Sequence, residues 1–421
     1  MNKSACHSVV RRNLAWFTNS GVMRPSDGFW GVAERLAITT GNEAADMTFR
    51  HFPCFTRLSP DVVAVEHRRA DCTFETAFLF DLAAEALGKP GLRTVADNLI
   101  DFLLSRSHLL QKDEKDPNAG LWGWAMPIRL KTCWTDDNAW VILMLLKLAA
   151  RGRPGLKPLG LQAARTLHRH LSAFFAIHDA NGRDLPRQAF AHIPLSGLML
   201  NPHWIGLACM ALAHAAAEDP ELDCRPLFDS YYAQVLAGPP PRDARYAPLP
   251  GTGRAWTLSE YAYLGLTAAV VARQFPDCRA GEVAGLAGRE LLRVQFGDGH
   301  FPAEHEEAPS APHLADLIYT ENWAALAFHH LHGLTGDKAY RNAREKSLGF
   351  LASIQDRDPS PLFNGCWRGM YDTRAGRWGG GDRFEGGANS VYSGWTNAPI
   401  SWAFLFSCGH GSLFAGEAAG A

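Results

Sequence analysis

Residues 132–150 read TCWTDDNAWVILMLLKLAA, and from Asn138 onward this stretch carries a single charge, Lys147. A helix with no wet face is one covered by protein on every side. The same character returns in HWIGLACMALAHAAA (203–217) and NWAALAFHHLHGL (322–334). It does not return in LQAARTLHRHLSAFFAIH (161–178), where Ala164, Leu167, Leu171, Phe174 and Phe175 share one stripe and Arg165, His168 and Arg169 another. The chain therefore contains two classes of helix, inner and outer.

Apolar periodicity places helical segments at 9–17, 66–87, 91–108, 136–152, 160–178, 197–218, 223–237, 257–275, 279–297, 315–335, 337–356 and 391–408, with little strand alternation between them. Links from an inner to an outer helix, GKP (88–90) and PDC (276–278), are short, as in antiparallel helix hairpins, whereas outer-to-inner links such as 109–135 and 357–390 are long. All the long loops then gather on one face. They share a signature of Gly with Asp or Asn followed by an aromatic or Pro: DGFW (27–30), GLWGW (120–124), NGRDLP (181–186), DGHFP (298–302), NGCWRG (364–369) and, more loosely, LPGTGRAW (249–256). Six hairpins closing in a ring make an all-α (α/α)6 toroid, expected here as one domain over 1–421, in which each repeat buries its apolar face on its neighbours.

Composition agrees with a large globular core: of 421 residues, 47% are hydrophobic and 20% charged. A net charge of −2 without a long basic block argues against a nucleic-acid partner. The nine cysteines form no C-x-x-C pair and read as reduced core thiols. No apolar run has signal-peptide or membrane-spanning character, so the expectation is a soluble cytoplasmic protein with no membrane partner.

With this architecture the chain resembles the six-hairpin (α/α)6-barrel glycosidase superfamily over nearly its whole length. TDDNAW (135–140) is similar to the Asp-Asp element of endo-mannanase-type enzymes, in which consecutive aspartates are catalytic. The closing WRGMYD and GGANSVYSGWTNAPISW (367–372, 386–402) resemble the C-terminal region of six-hairpin proteins of glycan-degrading bacteria. The resemblance implies an enzyme whose partner is an oligosaccharide. Toroids also host cyclases, lyases and epimerases, so the fold alone does not choose the chemistry.

The long loops enter the inner helices at their N-terminal ends, and the residues there should line the mouth of the ring. They are Arg69 and Asp71; Trp134, Asp136 and Asp137; Asn201, His203 and Trp204; Glu260, Tyr261 and Tyr263; Tyr319, Glu321 and Asn322; and Tyr392, Trp395, Thr396 and Asn397. Each start sets polar groups beside aromatics, as sugars require, since their C–H faces stack on rings and their hydroxyls bind amides and carboxylates.

Asp136 and Asp137 sit where a helix start welcomes carboxylates, so capping is the first expectation. Successive helical residues diverge by about 100°, so one acid can cap while its neighbour points into the cavity. Glycoside hydrolysis needs two carboxyl groups, one a proton donor. Asp136, Asp137 and Glu321 are the catalytic candidates, with Asp71 as an alternative partner. Arg69 and Arg368 could grip a substrate carboxylate, which points to uronic-acid-containing sugars in a glucuronidase-like role. Trp134, His203, Trp204, Tyr261, Tyr319, Asn322, Trp395 and Asn397 complete the substrate-binding set. Asp382 and Glu385, in GGGDRFEGG, read as solvated loop charges or as part of a loop folded over the site. His300, Glu304, His305 and Glu306 lack the spacing of zinc motifs, and DDNAW lacks the third acid of Asp-Asp-x-x-Asp, so neither metal nor cofactor is expected. Two other functions fit the same lining. One is a lyase or epimerase using His203 and Tyr261, and the other a glycan-binding toroid without catalysis.

Overall fold

The computed structural model describes residues 1–39, 54–182, 185–239, 248–304, 311–381 and 385–416. Among these described residues there are twelve α-helices: α1 (Lys3–Asn19), α2 (Ala70–Ala86), α3 (Gly91–Asp101), α4 (Thr135–Ala150), α5 (Lys157–Asn181), α6 (Leu207–Glu218), α7 (Arg225–Leu236), α8 (Leu258–Gln274), α9 (Ala280–Val294), α10 (Glu321–Thr335), α11 (Lys338–Ile354) and α12 (Ala398–Ser407). The even-numbered helices pack side by side in sequence, and α12 returns to α2, which closes an inner ring. Outside it, α3, α5, α9 and α11 each lie on the inner helix before them, α7 lodges between α5 and α9, and α1 lies on α12. This is the (α/α)6 toroid.

Burial follows the two helix classes. In α4 every residue from Thr135 to Leu148 is buried. In α5 the buried set includes Ala164, Leu167, Leu171, Phe174 and Phe175, while Arg165 and His168 stay outside it. Burying a Leu or Phe side chain stabilises by about 1.5–3 kcal/mol, so this sorting is what holds the ring together.

Among the described residues nine short strands are seen, and they correct the helical boundaries at 66–69, 315–316 and 391–392. β1 (Arg35–Ile38), β2 (Phe55–Ser59), β3 (Val62–Val65) and β9 (Ser390–Tyr392) form an antiparallel sheet in the order β2-β3-β1-β9, with Arg35 opposite Val65 on one side and Tyr392 on the other. β4 (Arg68–Arg69) pairs with β5 (Ala125–Met126), and β6 (Leu314–Asp316), β7 (Met370–Asp372) and β8 (Arg377–Trp378) make a third small sheet. The sequence showed no alternation because β3 is buried at all four positions, so neither of its faces is polar. The sheet ties the entrance of α2 to that of α12.

The far end of the ring is stoppered by the segment after α12. Lys147 Nζ donates to the Phe414 carbonyl at 2.9 Å, His214 Nε2 lies 2.7 Å from the Leu413 carbonyl, and Leu413 N–H donates to His330 Nε2 at 2.8 Å. Burial lowers His214 to about 3 and His330 to about 4, so both rings are neutral and His330 can accept. The Phe414 ring presses on Gly333, where a Cβ would come within 2.7 Å of it. Phe414→Ala should lower stability by about 3 kcal/mol, as expected for a buried aromatic. Chemical denaturation checks this, and an unshifted midpoint would mean that the stopper is not part of the cooperative fold.

All nine cysteines are free thiols, seven of them buried. Among the described residues no helix is long and apolar enough to cross a membrane.

Candidate active site

The mouth is organised by Arg69, the extended residue that precedes α2. Its Nη2 lies 2.7 Å from Asp71 Oδ2 and 2.5 Å from Asp137 Oδ1, and its Nη1 lies 3.1 Å from Glu34 Oε1. The indole of Trp395 donates to the same Asp71 Oδ2 at 2.9 Å. Arg69 also lies over the rings of Trp124 and Trp395, 5.7 and 5.6 Å from their centroids. One guanidinium thus gathers three carboxylates from three separate parts of the chain.

Asp136 and Asp137 diverge as adjacent helical residues should. Asp137 turns toward α2 and Asp136 toward α6. Burial, followed by the neighbouring charges of Asp71 and Asp136 and a hydrogen bond to Asp71, holds the Asp137 carboxyl well above the usual carboxylate range, against the pull of Arg69. Its Oδ2 is buried, and no N–H or hydroxyl of the described residues donates to it. This environment favours the protonated form of Asp137.

Asp136 Oδ2 lies 3.2 Å from His203 Nε2. The imidazole is stacked parallel on Tyr263, with centroids 4.9 Å apart and planes 3° from each other. Tyr319 and Trp395 flank it at 5.6 and 5.2 Å. Asn201 caps the turn by accepting from His203 N–H at 2.7 Å. That turn, Pro202–Gly206, is a single π-helical turn, as is Ser393–Asn397 at the start of α12. Such turns recur at functional sites, where the extra residue re-aims side chains.

Glu385 is no solvated loop charge. It accepts from Arg35 Nη1 at 3.0 Å, from Tyr319 OH at 3.1 Å and from Tyr392 OH. Asp382, His305 and Glu306 lie outside the described residues. Glu304 accepts from Leu258 N–H at 3.0 Å and pairs with Arg254, and His300 lies 2.6 Å from Asp298, so both belong to loop structure.

Several expected lining residues face elsewhere. The Tyr261 phenol lies among the Ala255 and Trp256 backbone and Glu290 of α9, and burial raises it, so it looks outward. Tyr263, two residues or about 200° further round α8, takes the inward position. Asn322 Nδ2 donates to the Ile318 and Trp395 carbonyls at 3.0 and 2.6 Å. Asn397 clasps the Trp367 and Tyr392 carbonyls at 3.0 and 2.6 Å and accepts from Asn13 at 2.8 Å. Glu260 completes a capping box with Thr257. Arg368 pairs with Asp356 at 2.8 Å and lies 4.1 Å over Phe363, so it does not join Arg69. In each case a buried polar group meets a backbone or charge partner that its depth demands.

Glu321 is likewise turned away from the acid pair. Its Oε1 accepts from Phe301 N–H at 2.6 Å, and burial holds its carboxyl well above the usual range. A raised folded value means the Glu321 contribution to stability is complete in acid and is lost as pH rises toward neutrality. Glu321→Gln should remove that slope, with melting temperature at pH 7 equal or higher, and leave turnover within about twofold. Melting curves from pH 4 to 8 and initial rates check both, and a rate collapse would restore Glu321 to the chemistry.

Glu34, Arg35 and Trp124 escaped the sequence reading. A signal for two of them existed: a charged pair inside the apolar run GVAERLAI (31–38) has to be neutralised once buried. A candidate metal cluster, Asp71, Cys72 and Glu75, has ligand atoms within 4.8 Å of one another. Burial, then Asp71, holds both the Cys72 thiol and the Glu75 carboxyl well above their ordinary values.

No protein-family profile matches the chain, and no curated protein matches it in sequence. Solved structures do match its fold. Unsaturated glucuronyl hydrolase from Bacillus sp. GL1, described as responsible for degradation of glycosaminoglycan, is 14% identical with a TM-score of 0.59, over 95% of this chain and 96% of that one. Cellobiose 2-epimerase from Bacillus thermoamylovorans is 12% identical with a TM-score of 0.53, over 81% and 88%. A D-mannose isomerase is 11% identical with a TM-score of 0.57, over 96% and 97%. These likenesses establish the class: the chain is a six-hairpin (α/α)6 toroid, as its sequence resemblance implied.

Proposed function

We propose that the chain is a sugar-processing enzyme, and specifically a glycoside hydrolase acting on oligosaccharides. The observation that carries this reading is a buried carboxyl, Asp137, whose burial favours the protonated form, set in an aromatic-walled mouth with a second polar pair, Asp136–His203, that bridges α4 and the start of α6. Asp137 protonates the glycosidic oxygen as its bond to the anomeric carbon breaks. His203, oriented by Asp136, takes a proton from the water whose oxygen bonds to that carbon. Burial and Asp71 favour the proton on Asp137, and Arg69 opposes them while holding the two carboxyl groups in place. Asp71 and Asp137 are too close to be the two separated carboxyl groups of a glycosidase, so they act as one donor. Incubation with neutral and uronic oligosaccharides, read as reducing ends, tests the reading, and no release from any of them overturns it.

Arg69 and Arg368 are both engaged by protein acids. A substrate uronate would therefore meet Arg129, an exposed residue without an acid partner among the described residues, held 5.2 Å over the Trp124 ring. Arg129→Gln should raise KM about tenfold for uronic substrates, the loss of roughly one charge-assisted hydrogen bond, and leave neutral ones unchanged. Equal effects on both would remove uronate recognition from Arg129.

The His203–Asp136 pair also favours a second reading, proton abstraction from a sugar carbon in an epimerase, isomerase or lyase. Lyase action adds absorbance near the ultraviolet edge, epimerisation changes the sugar without new reducing ends, and hydrolysis gives reducing ends alone.

A further inference from the structure

A cleft of about 440 Å³ opens beside the acid pair, between the starts of α4 and α6. Its walls are Trp134 and Trp204, whose ring centroids are 6.2 Å apart, and the side chains of Phe190, Ile193, Leu198 and Met199. Trp134 is two residues before Asp136, and Trp204 directly follows His203, so the cleft is built on the same chain segments as the candidate site. The loop that builds it is pinned. Thr135 N–H and Oγ1 both donate to the Ser196 carbonyl, at 3.0 and 2.8 Å, and Ser196 N–H donates back to the Cys133 carbonyl at 2.9 Å. Gly197, at φ 77°, lies where a Cβ would sit 3.4 Å from both tryptophan rings. The cleft is therefore preformed, with a size in the range of small-molecule pockets.

Its chemistry differs from that of the mouth. Polar side chains crowd around Arg69 and His203, whereas among the described residues the cleft's polar side-chain atoms are the Ser196 hydroxyl and the indole N–H groups of Trp134 and Trp204. A second sugar would leave most of its hydroxyls facing aliphatic carbon, at the cost of lost hydration. An aromatic ring would instead stack on the tryptophans and shed its own apolar surface from water. We infer that this cleft is an aglycone site, and that the substrates are glycoconjugates carrying an aromatic or acyl group next to the bond that is cleaved. The inference rests on the hydrolase reading for the word aglycone, and on the cleft alone for the binding of an apolar group.

The test separates the two. Free 2-naphthol, titrated calorimetrically into the whole protein, should bind saturably at one site. Affinity should fall at least tenfold in Leu198→Asp, which puts a charge in the wall, and in Ile193→Trp, which fills the cleft without adding polarity, both at unchanged circular dichroism. Asp137→Asn should bind 2-naphthol as the parent does. In that variant the 2-naphthyl glycosides of glucose, mannose and glucuronic acid should each bind at least tenfold tighter than the methyl glycoside of the same sugar. Absent saturable binding, or binding that neither cleft variant weakens, overturns the aglycone site. If 2-naphthol binds as described but the parent enzyme cleaves no naphthyl or oligosaccharide substrate, the cleft stands and the hydrolase reading fails.

Discussion

Asp137→Asn is expected to lower kcat on a cleaved glycan by about 10²–10⁴-fold, the usual contribution of a positioned proton donor. Asn keeps the size of Asp and keeps an oxygen for Arg69 Nη2, which now lies 2.5 Å from Asp137 Oδ1. Structure should therefore survive while the transferable proton is lost. Asp136→Asn makes the informative comparison, because it leaves the donor intact and loosens the orientation of His203. Its loss should be smaller and should appear as a changed pH profile. Should both variants keep near-parental rates and melting temperatures, the two acids only close a helix end. If His203→Ala alone abolishes turnover, proton abstraction from carbon becomes the better reading.

Arg69→Met should be the most destabilising single change at the mouth, by about 3–5 kcal/mol at neutral pH, because it strands buried carboxylates that the arginine neutralises. Glu34 shows the balance. Burial pushes its carboxyl up, and Arg35 with Arg69 outweighs burial and holds it below the usual range. Without Arg69 the folded values of Glu34 and Asp137 rise. Groups raised in the folded state contribute fully in acid and lose that contribution as pH climbs, so the deficit of the variant should shrink between pH 7.5 and pH 5. Melting temperatures of parent and variant across that window check the sign. A deficit of constant size would mean that Arg69 acts by packing between Trp124 and Trp395 and not by charge.

The ring itself was legible because inner and outer helices carry different periodicities, and α4 and α5 are buried where their apolar residues fall. The loops supplied the polarity of the ring, since long connections had to lie on one face. The Arg69, Asp137, His203 and Trp395 positions were legible as helix starts. Which way a helix start faces was not. A single π turn before α6 or α12 rotates the rest of the helix by about 100°, and nothing in PHWIG or SGWTN announces it. Tyr261 and Tyr263 differ only by a rotation of this kind, and one faces α9 while the other stacks on His203. Asp71 and Glu321 both open inner helices, and their separation into acid partner and loop anchor depends on how the preceding loops fold back, through Arg69 onto Asp71 and through Phe301 onto Glu321. Arg35 opens a strand with no exposed position, and Glu34 lies buried just before it, so no alternation marked them.

The hairpin formed by α1 and α12 also has a consequence for biosynthesis. Asn13 and Asn397, 384 positions apart, meet in a hydrogen bond of 2.8 Å at this seam. Translation at about 5–20 residues per second delivers the second partner roughly 20–80 seconds after the first. For most of that time Trp16, fully buried in the finished ring, lacks part of its cover, because its indole donates to the Leu362 carbonyl at 2.9 Å, whereas Phe17 packs edge-on against Phe80 of the early helix α2. Among the described helices α1 precedes all the others in the chain, and its seam with α12 is the last to close.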